Sequence, residues 1–493
     1  SQAKSASKPH PKDDASLGTP QLNLNKLSDA DGLKSGGCPT PAEPILESRS
    51  VYTYIGVQVV AETQYGLWRN WPLEKWRELF ERLAYVGNHK ILLFGFGKEP
   101  EITGEHIIDL RGKTTLYELL SIIKNRCRHL VLPDSGILSM VYYLNTSFPI
   151  QVVSLWADPN HGILKQNVAS PNPQLQHTPL IASERDLNRV SVHAVMECLV
   201  PSRPLQHCIS YTEIEPQSTL SGVGAILLAG GQGTRAGLKG PKGILSVHGR
   251  SLFQWICEKL PEKNFPLAIM TSPLNHEATL SFFKEHHFFG REIFFFPQSL
   301  GTILNEKKRP IALGPDGNGS VYKAFVQSGL ADQFASRGIE LMMIVPIENA
   351  LADPADATLI AHHRASGAEV TIKCVERKRA DEAMGALIER EHRIEILEYL
   401  YLKSNETYKY NNTGMMAMDL AFMRKMALVD LPLHWVQKNI QGQSTWKGER
   451  FIFDALKYTR KVSAVCYPRE LCYAPLKSLD QLSEIEALLE RVI

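Results

Sequence analysis

A short apolar run leads directly into a glycine-rich segment, and this junction limits what the chain can fold into more than any other feature. Residues 225–228 are apolar enough for a buried strand, and Gly230, Gly231 and Gly233 follow it closely. Glycine lets main-chain N–H groups approach an anion without obstruction by a Cβ atom, and it adopts the unusual dihedral angles of a phosphate-binding loop. The junction therefore predicts a strand followed by a loop that binds phosphate.

The residues after these glycines separate three kinds of phosphate loop. Arg235 and Lys242 supply the positive charge that a triphosphate needs. A Walker A loop requires Ser or Thr after its lysine, but Gly243 follows Lys242. The dinucleotide fingerprint is formally matched over 231–236, but it opens a long helix, which the glycine–proline pair at 240–241 would break. A glycine-rich turn without a ligand is the third alternative, and it does not explain the two cations.

The segment from 230 to 243 resembles the signature of the eukaryotic-type UDP-N-acetylhexosamine pyrophosphorylase family. The motifs GGQGTR and GPKG carry the resemblance, which extends over about residues 215–480. Related UDP-glucose pyrophosphorylases usually differ at Gln232 and lack an arginine at 235, so the resemblance favours the N-acetylhexosamine branch. It implies a nucleotide-diphospho-sugar transferase (SGC/GT-A-like) α/β domain with a mixed, mainly parallel sheet over 221–493. In the glycine-rich loop it implies these nucleotide contacts: Ala229, Gly230, Gly231, Gly233 and Thr234.

Further motifs resemble other parts of the nucleotide site of that family. Residues 294–298 (FFFPQ) are similar to a segment in which the glutamine, here Gln298, reads the uracil edge, and an amide can both donate and accept there. The DGNG turn at 316–319 resembles one in which Gly317 lies by the nucleotide and Asn318 contacts the sugar phosphate, although such turns are also common without a ligand. Residues 446–454 resemble a segment whose lysine, here Lys447, reaches the nucleotide phosphates.

The resemblance also implies a metal ligand and a sugar site. Residues 344–354 look like a buried strand that ends in an acid able to bind Mg²⁺ at the carboxyl edge of a parallel sheet. Glu348 stands where the family has aspartate, and we expect it to hold the Mg²⁺ ion. The chain has Asn-Thr-Gly-Met at 412–415 where the family has NAGN, which leaves the identity of the sugar open. The implied sugar contacts are Gly385, Glu398 and Asn412.

Strands and helices also alternate from 51 to about 199, which predicts a Rossmann-like N-terminal domain with a parallel sheet. We expect a disordered tail over 1–48, because few aromatic residues interrupt its Ser, Pro, Lys and Gly, and a proline-containing linker over 201–220. The expected strands are 51–60, 90–96, 128–132 and 150–156, and the expected helices are 73–85, 116–125 and one near 184–199.

Residues 50–200 resemble the donor-binding half of a family 9 glycosyltransferase of the heptosyltransferase type. The resemblance is carried by the motifs RNWP at 69–72, DLRGK at 109–113 and DSG at 134–136. It implies that the last of these meets the phosphates of a nucleotide-sugar donor. Arg69 stands where that family has lysine, Ser139 stands where it has histidine, and the acceptor half is absent from the chain. A docking or scaffold role without catalysis is the alternative.

The overall composition excludes several classes of protein. A formal net charge of +2 provides no general attraction for nucleic acid or acidic membranes, and no apolar run approaches the ~18 residues of a membrane span. The eight cysteines are scattered without a CxxC pair, which argues against a zinc site and a disulfide framework and favours a cytoplasmic location. The chain begins at Ser1 rather than at methionine, consistent with a missing upstream segment. Nothing in the sequence indicates the oligomeric state.

Together these features predict a UTP:sugar-1-phosphate uridylyltransferase, most simply one that forms UDP-N-acetylglucosamine and pyrophosphate with Mg²⁺. The attacking phosphate is already an anion, so no general base is needed. The predicted catalytic cations are Arg235, Lys242 and Lys447. Three alternatives remain open at this point: a UDP-glucose or UDP-sugar pyrophosphorylase of broader specificity, a heptosyltransferase-like enzyme with a fused nucleotide-sugar-binding domain, and a catalytically silent nucleotide-binding regulator.

Overall fold

The structure is a computed structural model, and the chain divides into two compact units. The first comprises Ser1–Trp76 and Asn88–Ser191, and the second comprises Arg77–Gly87 and Val192–Ile493. The residues described are 52–61, 67–86, 89–98, 100–216, 220–231, 240–306, 309–390, 392–440, 443–476 and 478–490. The tail predicted at 1–48 lies outside them.

The first unit is built on a six-stranded sheet in which every neighbouring pair is parallel. The spatial order is β3-β2-β1-β4-β5-β6, so the chain moves outward from β1 in one direction and then returns to fill the other side. The strands are β1 (Thr53–Gln58), β2 (His89–Phe94), β3 (Ile107–Asp109), β4 (Cys127–Pro133), β5 (Ile150–Trp156) and β6 (Leu175–Ile181). The helices are α1 (Leu73–Val86, shared with the second unit), α2 (Leu116–Arg126), α3 (Gly136–Tyr142) and α4 (Gly162–Gln166).

Most of the elements predicted for this region lie within a few residues of the observed ones. The helix predicted near 184–199 is the exception, because α5 covers only Val192–Leu199 and belongs to the second unit. Two short helical turns precede it, and Glu184 and Arg185 have φ angles of 56° and 54°. Left-handed backbone at two successive residues interrupts a right-handed helix, which explains the shorter element.

The segment predicted as a linker at 201–220 contributes two short strands to the second unit. Strand β7 (Arg203–Pro204) pairs with a later hairpin strand, and β8 (Ile209–Ser210) pairs in parallel with the last strand of the sheet. The prolines and polar residues that indicated a linker are compatible with such short edge strands.

An eleven-stranded sheet forms the centre of the second unit. Its main path is β13-β12-β9-β16-β20-β17-β23-β8, and its strands run parallel except β20, which is antiparallel to β16 and β17. The added strands are β9 (Val223–Leu228), β12 (Leu267–Thr271), β13 (Ile293–Pro297), β16 (Leu341–Pro346), β17 (Val370–Glu376), β20 (Tyr410–Asp419) and β23 (Val462–Tyr467). The hairpin β18 (Ala386–Arg390) and β19 (Arg393–Leu397) joins the sheet through β20 and β7. The predicted mixed, mainly parallel sheet is confirmed.

Helices and smaller sheets complete the second unit. The helices are α6 (Leu252–Glu258), α7 (His276–Glu285), α8 (Val321–Gln327), α9 (Leu330–Ser336), α10 (Ala357–Ser366), α11 (Leu420–Met426), α12 (Arg469–Cys472) and α13 (Leu482–Leu489). Strands β10 (Ser246–Val247) and β11 (Arg250–Ser251) form a small ribbon. A separate antiparallel sheet has the order β15-β14-β22-β21. Its strands are β14 (Leu300–Asn305), β15 (Pro310–Pro315), β21 (His434–Ile440) and β22 (Gln443–Glu449).

Both faces of the large sheet are buried, which accounts for the continuous apolar runs of its central strands. On β16, Met343 and Val345 pack into the apolar cluster on one face, and Ile344 packs into the cluster on the other. Strands buried on both sides are typical of parallel sheets covered by helices. In the part of the chain that the structure describes, no helix is long and apolar enough to cross a membrane.

Gly56, in the middle of the first sheet, provides a test of this packing. A Cβ atom at Gly56 would lie 2.5 Å from Leu130 Cδ2 and 2.6 Å from Phe94 Cε2. We expect Gly56→Ala to lower the free energy of unfolding by about 1–3 kcal/mol, because overpacking forces a fully buried neighbour to move. Gly136→Ala is the matched control, since no atom lies within 4 Å of its Cβ position. Denaturant unfolding measures both variants, and equal stability of Gly56→Ala and the unmodified chain would contradict this packing.

Candidate functional site

Four adjacent parallel strands, β13, β12, β9 and β16, end at the same edge of the large sheet. Gly230 and Gly231 follow β9, Gln298 follows β13, and Glu348 lies just beyond the end of β16. Hydrogen bonds extend the pairing past the strand ends: the N–H of Ala229 donates to Met270 O, at 2.8 Å. Ligands of open α/β sheets bind outside the carboxyl ends of the strands. The fold thus gathers several predicted nucleotide contacts at the edge where a ligand is expected.

Gln298 packs directly against the glycine-rich turn. A Cβ atom at Gly230 would lie 2.9 Å from both Cδ and Oε1 of Gln298, so a larger residue there would displace the Gln298 amide. Gln298 is 5% exposed, and its N–H donates to Thr271 O at 2.8 Å. The backbone of the turn and the amide predicted to read a base are therefore held in contact with each other.

A buried asparagine that the sequence reading missed holds the start of this turn. Asn275 Nδ2 donates to the carbonyl oxygens of Ala229 at 3.0 Å and Gly231 at 3.3 Å. Its Oδ1 accepts from the N–H of Ser272 at 2.8 Å, so the same side chain also shapes the end of β12. Asn275 is only 2% exposed. A polar residue four positions after a buried strand was the available signal, but such residues are also common in ordinary turns.

Lys242 and Glu348 form an ion pair at this edge. Lys242 Nζ lies 3.0 Å from Glu348 Oε2, and the N–H of Lys242 donates to Gly231 O at 3.4 Å. The next residue is anchored in the core, since a Cβ atom at Gly243 would lie 2.3 Å from the buried ring of Phe253. The lysine side chain is 14% exposed and the glutamate 39%. The pair thus presents both a cation and a partly exposed carboxylate beside the glycine turn.

Glu348 is followed by a loop whose backbone is tied down at several points. Its carbonyl oxygen accepts from the N–H of Leu476 at 2.8 Å. Lys259 Nζ donates to the carbonyl oxygens of Ala350 at 2.6 Å and Ala352 at 3.0 Å, and burial lowers the pKa of Lys259 to about 8. Asn349, fully buried, accepts from the N–H of Ala474 at 2.9 Å. The backbone at 348 is fixed while the carboxylate of Glu348 remains accessible.

The DGNG turn and the strand that carries Lys447 are joined by their backbones. Gly317 has a φ angle of 99°, and a Cβ atom there would lie 2.2 Å from Arg450 O, so the turn requires glycine. The N–H of Arg450 donates to Asp316 O at 2.7 Å, and Asn318 Oδ1 accepts from the N–H of Ile452 at 2.9 Å. Asn318 therefore makes a structural hydrogen bond within the described residues, in addition to any ligand contact.

Lys447 lies on β22, three residues before Arg450, in a largely buried charged group. Its Nζ is 2.9 Å from Glu449 Oε1, and the two side chains are 14% and 15% exposed. Burial raises the pKa of the nearby Asp316 carboxyl, against the opposing effects of Ser320, Arg450 and Lys447. The N–H of Asp316 donates to Ser299 O at 3.2 Å, which places the turn beside Gln298. The second group of predicted residues is thus connected to the first.

The three predicted sugar contacts also come together. The N–H of Asn412 donates to Gly385 O at 2.8 Å, and Glu398 Oε1 would lie 3.9 Å from a Cβ atom on Gly385. Because β20 runs against its neighbours, its beginning lies where β16 ends, and a Cβ atom on Gly414 would be 3.6 Å from Pro346 Cγ. Gly233, Thr234 and Arg235, the other predicted residues of the glycine-rich loop, lie outside the described residues.

In the first unit, polar side chains converge where β1 and β4 lie side by side and the strand order reverses. Ser135 Oγ donates to Gln58 Oε1 at 2.6 Å, and Arg69 Nη1 lies 3.1 Å from Asp134 Oδ2. The DLRGK motif at 109–113 behaves differently. Arg111 pairs with both oxygens of Asp109, at 3.0 and 2.9 Å, and is itself buried. That motif forms an internal ion pair rather than part of the convergence.

Comparison with known proteins decides the family. Residues 184–489, more than half of the chain, match the UDPGP family, described as UTP--glucose-1-phosphate uridylyltransferase. The chain belongs to this family. Nearly all of the matched residues lie in the second unit, so the UDPGP region is the one that carries the glycine turn and the Lys242–Glu348 pair.

Several curated UDPGP relatives are similar to about half of the chain. One from Encephalitozoon cuniculi, named probable UDP-N-acetylglucosamine pyrophosphorylase, is 30% identical over 279 residues, which are 52% of this chain and 81% of the relative. UDP-N-acetylglucosamine diphosphorylase 1 of Arabidopsis thaliana is 30% identical over 307 residues, 52% of this chain and 61% of that one. The UDP-N-acetylglucosamine pyrophosphorylase of Saccharomyces cerevisiae is 29% identical over 309 residues, with 52% and 64% covered. The chain thus spans less than two thirds of the last two relatives.

Solved structures support the fold. A crystal structure from Entamoeba histolytica, of a protein provisionally assigned as a UDP-N-acetylglucosamine pyrophosphorylase, has a TM-score of 0.53 at 24% identity and covers 59% of this chain and 88% of its own. The UDP-glucose phosphorylase of Trypanosoma brucei has a TM-score of 0.51 at 19% identity, with 58% and 70% covered.

Asn275 provides a test of the edge geometry. We expect Asn275→Ala to lower the free energy of unfolding by about 1–3 kcal/mol, because it leaves the Ala229 carbonyl and the Ser272 N–H without their buried partner. The matched control is Asn188→Ala, which removes an exposed 2.8 Å hydrogen bond to Asp186. Denaturant unfolding with a probe of the second unit measures both variants. Similar, near-zero effects in the two would contradict a holding role for Asn275.

Proposed function

We propose that the second unit is a uridylyltransferase that joins UTP and N-acetylglucosamine-1-phosphate to form UDP-N-acetylglucosamine and pyrophosphate. Membership of the UDPGP family supports the reaction type. Relatives named as UDP-N-acetylglucosamine pyrophosphorylases support the sugar. The observation that carries the proposal is the convergence of Gly230, Gln298 and the Lys242–Glu348 pair at one sheet edge.

The proposed reaction needs two anions to be held together in line. An oxygen of the sugar phosphate attacks the α-phosphorus of UTP, a new phosphorus–oxygen bond forms, and the bond to the bridging oxygen breaks as pyrophosphate leaves. No proton has to be removed, so positioning and charge stabilisation carry the catalysis. Two like charges ~4 Å apart repel by about 4 kcal/mol at an effective dielectric near 20. Cationic side chains at the edge must offset that repulsion.

Lys242 and Lys447 are suited to this role in different ways. Lys242 Nζ is held 3.0 Å from Glu348 beside the glycine turn, so its charge is oriented before a phosphate arrives. Lys447 is paired with Glu449 in a largely buried position, where its charge is weakly screened by solvent. The turn at Gly230 offers main-chain amides, and Arg235 stays a predicted third cation.

Glu348 fits a role in Mg²⁺ binding. Mg²⁺ is usually held by one or two carboxylates together with substrate phosphates and water, and the partly exposed Glu348 carboxylate matches that donor set. Among the described residues, no cluster of three or more His, Cys, Asp or Glu side chains could hold a metal alone. When bound, Mg²⁺ would supply positive charge to the triphosphate. The Glu348 carboxylate would then interact with both Lys242 and the metal ion.

On the sugar side, Gly385, Glu398 and Asn412 are the proposed contacts. Their backbone and side-chain contacts form one group beside the end of β16. Broader use of other sugar-1-phosphates is the alternative within the same reaction. A panel that pairs UTP with several sugar-1-phosphates and measures pyrophosphate release distinguishes the two, and it also tests for a silent regulator, which would release none.

Lys242→Ala is the direct test of the proposed chemistry. We expect kcat/KM to fall by about 100-fold or more, because one preorganised charge at the reacting phosphates is removed. The fold should survive, since the remaining Glu348 side chain is 39% exposed and can be solvated. Pyrophosphate release measures the rate, and thermal unfolding verifies the fold. Lys323→Ala, an exposed lysine on α8, is the matched control. Near-normal turnover in Lys242→Ala would count against the assignment.

We further propose that the first unit is a Rossmann-like, heptosyltransferase-like domain with its own nucleotide-sugar site. The strand order β3-β2-β1-β4-β5-β6 supports this, since doubly wound sheets of that order bind ligands where it reverses. Gln58, Ser135 and the Arg69–Asp134 pair lie at that reversal. Burial raises the pKa of Asp134, and Arg69 opposes the shift, so the pair is a local charge arrangement that a ligand could join.

Arg69→Ala tests this second site. The unmodified chain and the variant are titrated calorimetrically with ADP-glucose and, separately, with UDP-N-acetylglucosamine. We expect the unmodified chain to bind one of them, and Arg69→Ala to weaken that affinity at least about tenfold, because one charge-assisted contact is lost. Pyrophosphate release by the second unit should not change. Arg126→Ala, an exposed arginine at the end of α2, is the control. A scaffold role follows instead if neither ligand binds at a site that depends on Arg69.

A further inference from the structure

Three cysteines that are far apart in the sequence meet on one face of the large sheet. Cys208 Sγ lies 3.4 Å from Cys374 Sγ. Cys374 on β17 is directly opposite Cys466 on the neighbouring parallel strand β23, so both side chains point to the same face. All three pack into the same apolar cluster. Cys374 is fully buried, whereas Cys208 and Cys466 are partly exposed.

The Cys208–Cys374 pair is arranged for covalent bonding. A disulfide needs the two sulfur atoms at about 2.05 Å, so they must approach by roughly 1.4 Å from the observed contact. Cys208 precedes β8, which begins at Ile209, so it is not itself one of the residues that pair β8 with β23. Its thiol donates to Ala464 O at 3.0 Å, and this hydrogen bond is given up when the disulfide forms.

The third cysteine makes the central thiol a weaker acid. A hydrogen bond from Cys374 lowers the pKa of the Cys466 thiol, while the two sulfur neighbours and burial raise the pKa of Cys374. Cys208 is partly exposed, so it is the thiol of the pair that an external disulfide meets first. Only a thiolate attacks a disulfide at a useful rate, so the buried Cys374 must lose its proton to the departing thiolate as it attacks.

Both ends of the Cys208–Cys374 pair are connected to the proposed sugar contacts. Cys374 is the register partner of Asn412, whose N–H donates to Gly385 O at 2.8 Å. On the other side, the N–H of Leu205 donates at 3.1 Å to Leu387 O, two residues after Gly385. A bond between Cys208 and Cys374 would therefore link the 205–208 segment, which is hydrogen bonded beside Gly385, to β17, which pairs with Asn412.

We propose that Cys208, Cys374 and Cys466 form a thiol centre in which a Cys208–Cys374 disulfide forms reversibly and weakens binding of the sugar phosphate. The oxidant is a low-molecular-weight disulfide. The Cys208 thiolate attacks it to give a mixed disulfide and one released thiol. Cys374 then attacks Cys208 Sγ and displaces the second thiolate, which takes up the proton of Cys374 and leaves as a thiol. Two protein thiols are oxidised and one external disulfide is reduced to two thiols. Disulfides of this transient kind are the ones expected in a reducing compartment.

Peptide mapping tests whether the bond forms. The reduced protein is incubated with oxidised glutathione, the free thiols are blocked, and the digest is analysed by mass spectrometry. We expect a linked peptide pair containing Cys208 and Cys374 that dithiothreitol removes and that is absent from Cys208→Ser. Cys466→Ser should still give the linked pair, since the bond joins Cys208 and Cys374 and neither sulfur belongs to Cys466. Absence of the linked pair from the unmodified protein would overturn the proposal.

Kinetics test the consequence, which rests on the proposed uridylyltransferase function. We expect oxidation to raise KM for N-acetylglucosamine-1-phosphate about fivefold or more while KM for UTP stays constant, and dithiothreitol to restore the first value. In Cys208→Ser, oxidation should leave this KM unchanged. In Cys198→Ser, which removes another partly exposed thiol, oxidation should raise KM as in the unmodified chain. An unchanged KM in protein that carries the linked pair would overturn the link to the sugar site. If the reduced protein releases no pyrophosphate, the proposed function fails, and the peptide map still decides whether the disulfide forms.

Discussion

Burial of both faces of the large parallel sheet is the constraint on which the rest of the second unit depends. Residues on β9 and β16 alternate between two apolar clusters, so neither face of these strands is available to a polar ligand. Hydrogen bonds between neighbouring segments continue just past the strand ends, and the glycine turn, Gln298 and Glu348 all lie there. A buried sheet therefore directs the polar chemistry to one edge, and the holding contacts of Asn275 and Lys259 make that edge rigid.

Much of this arrangement could be predicted from the sequence, because apolar runs that end in glycine or an acid are local signals. The strand before Gly230 and the alternation of strands and helices in the first unit followed from such patterns, and the mixed, mainly parallel sheet was implied by the family resemblance. The resemblance of separate motifs to one family also predicted that residues as distant as Gly385 and Asn412 would meet, and in the structure they are hydrogen bonded. The roles of these residues in binding stay predictions.

Other features could not be predicted because they depend on which strands become neighbours. Cys374 and Cys466 are 92 positions apart and Cys208 is further away, so no spacing rule could bring them together before the order β17-β23-β8 was known. The polar, proline-containing segment 201–220 looked like a linker, since two-residue strands carry no periodic signal. Asn275 was missed because its importance comes from two carbonyl groups in the turn that follows β9.

Strand β20 runs opposite to its neighbours, and this separates the proposed nucleotide contacts from the proposed sugar contacts. The proposed nucleotide side is assembled where parallel strands finish, whereas the proposed sugar side is assembled where β20 starts and where the β18–β19 hairpin pairs with it. The hairpin packs Leu387 and Ile396 into one apolar cluster of the sheet, but its strands do not pair with β9, β12 or β16. The proposed sugar contacts can therefore change during evolution while the proposed nucleotide contacts stay the same. The β18–β19 hairpin is the segment to exchange when a different sugar-1-phosphate is wanted.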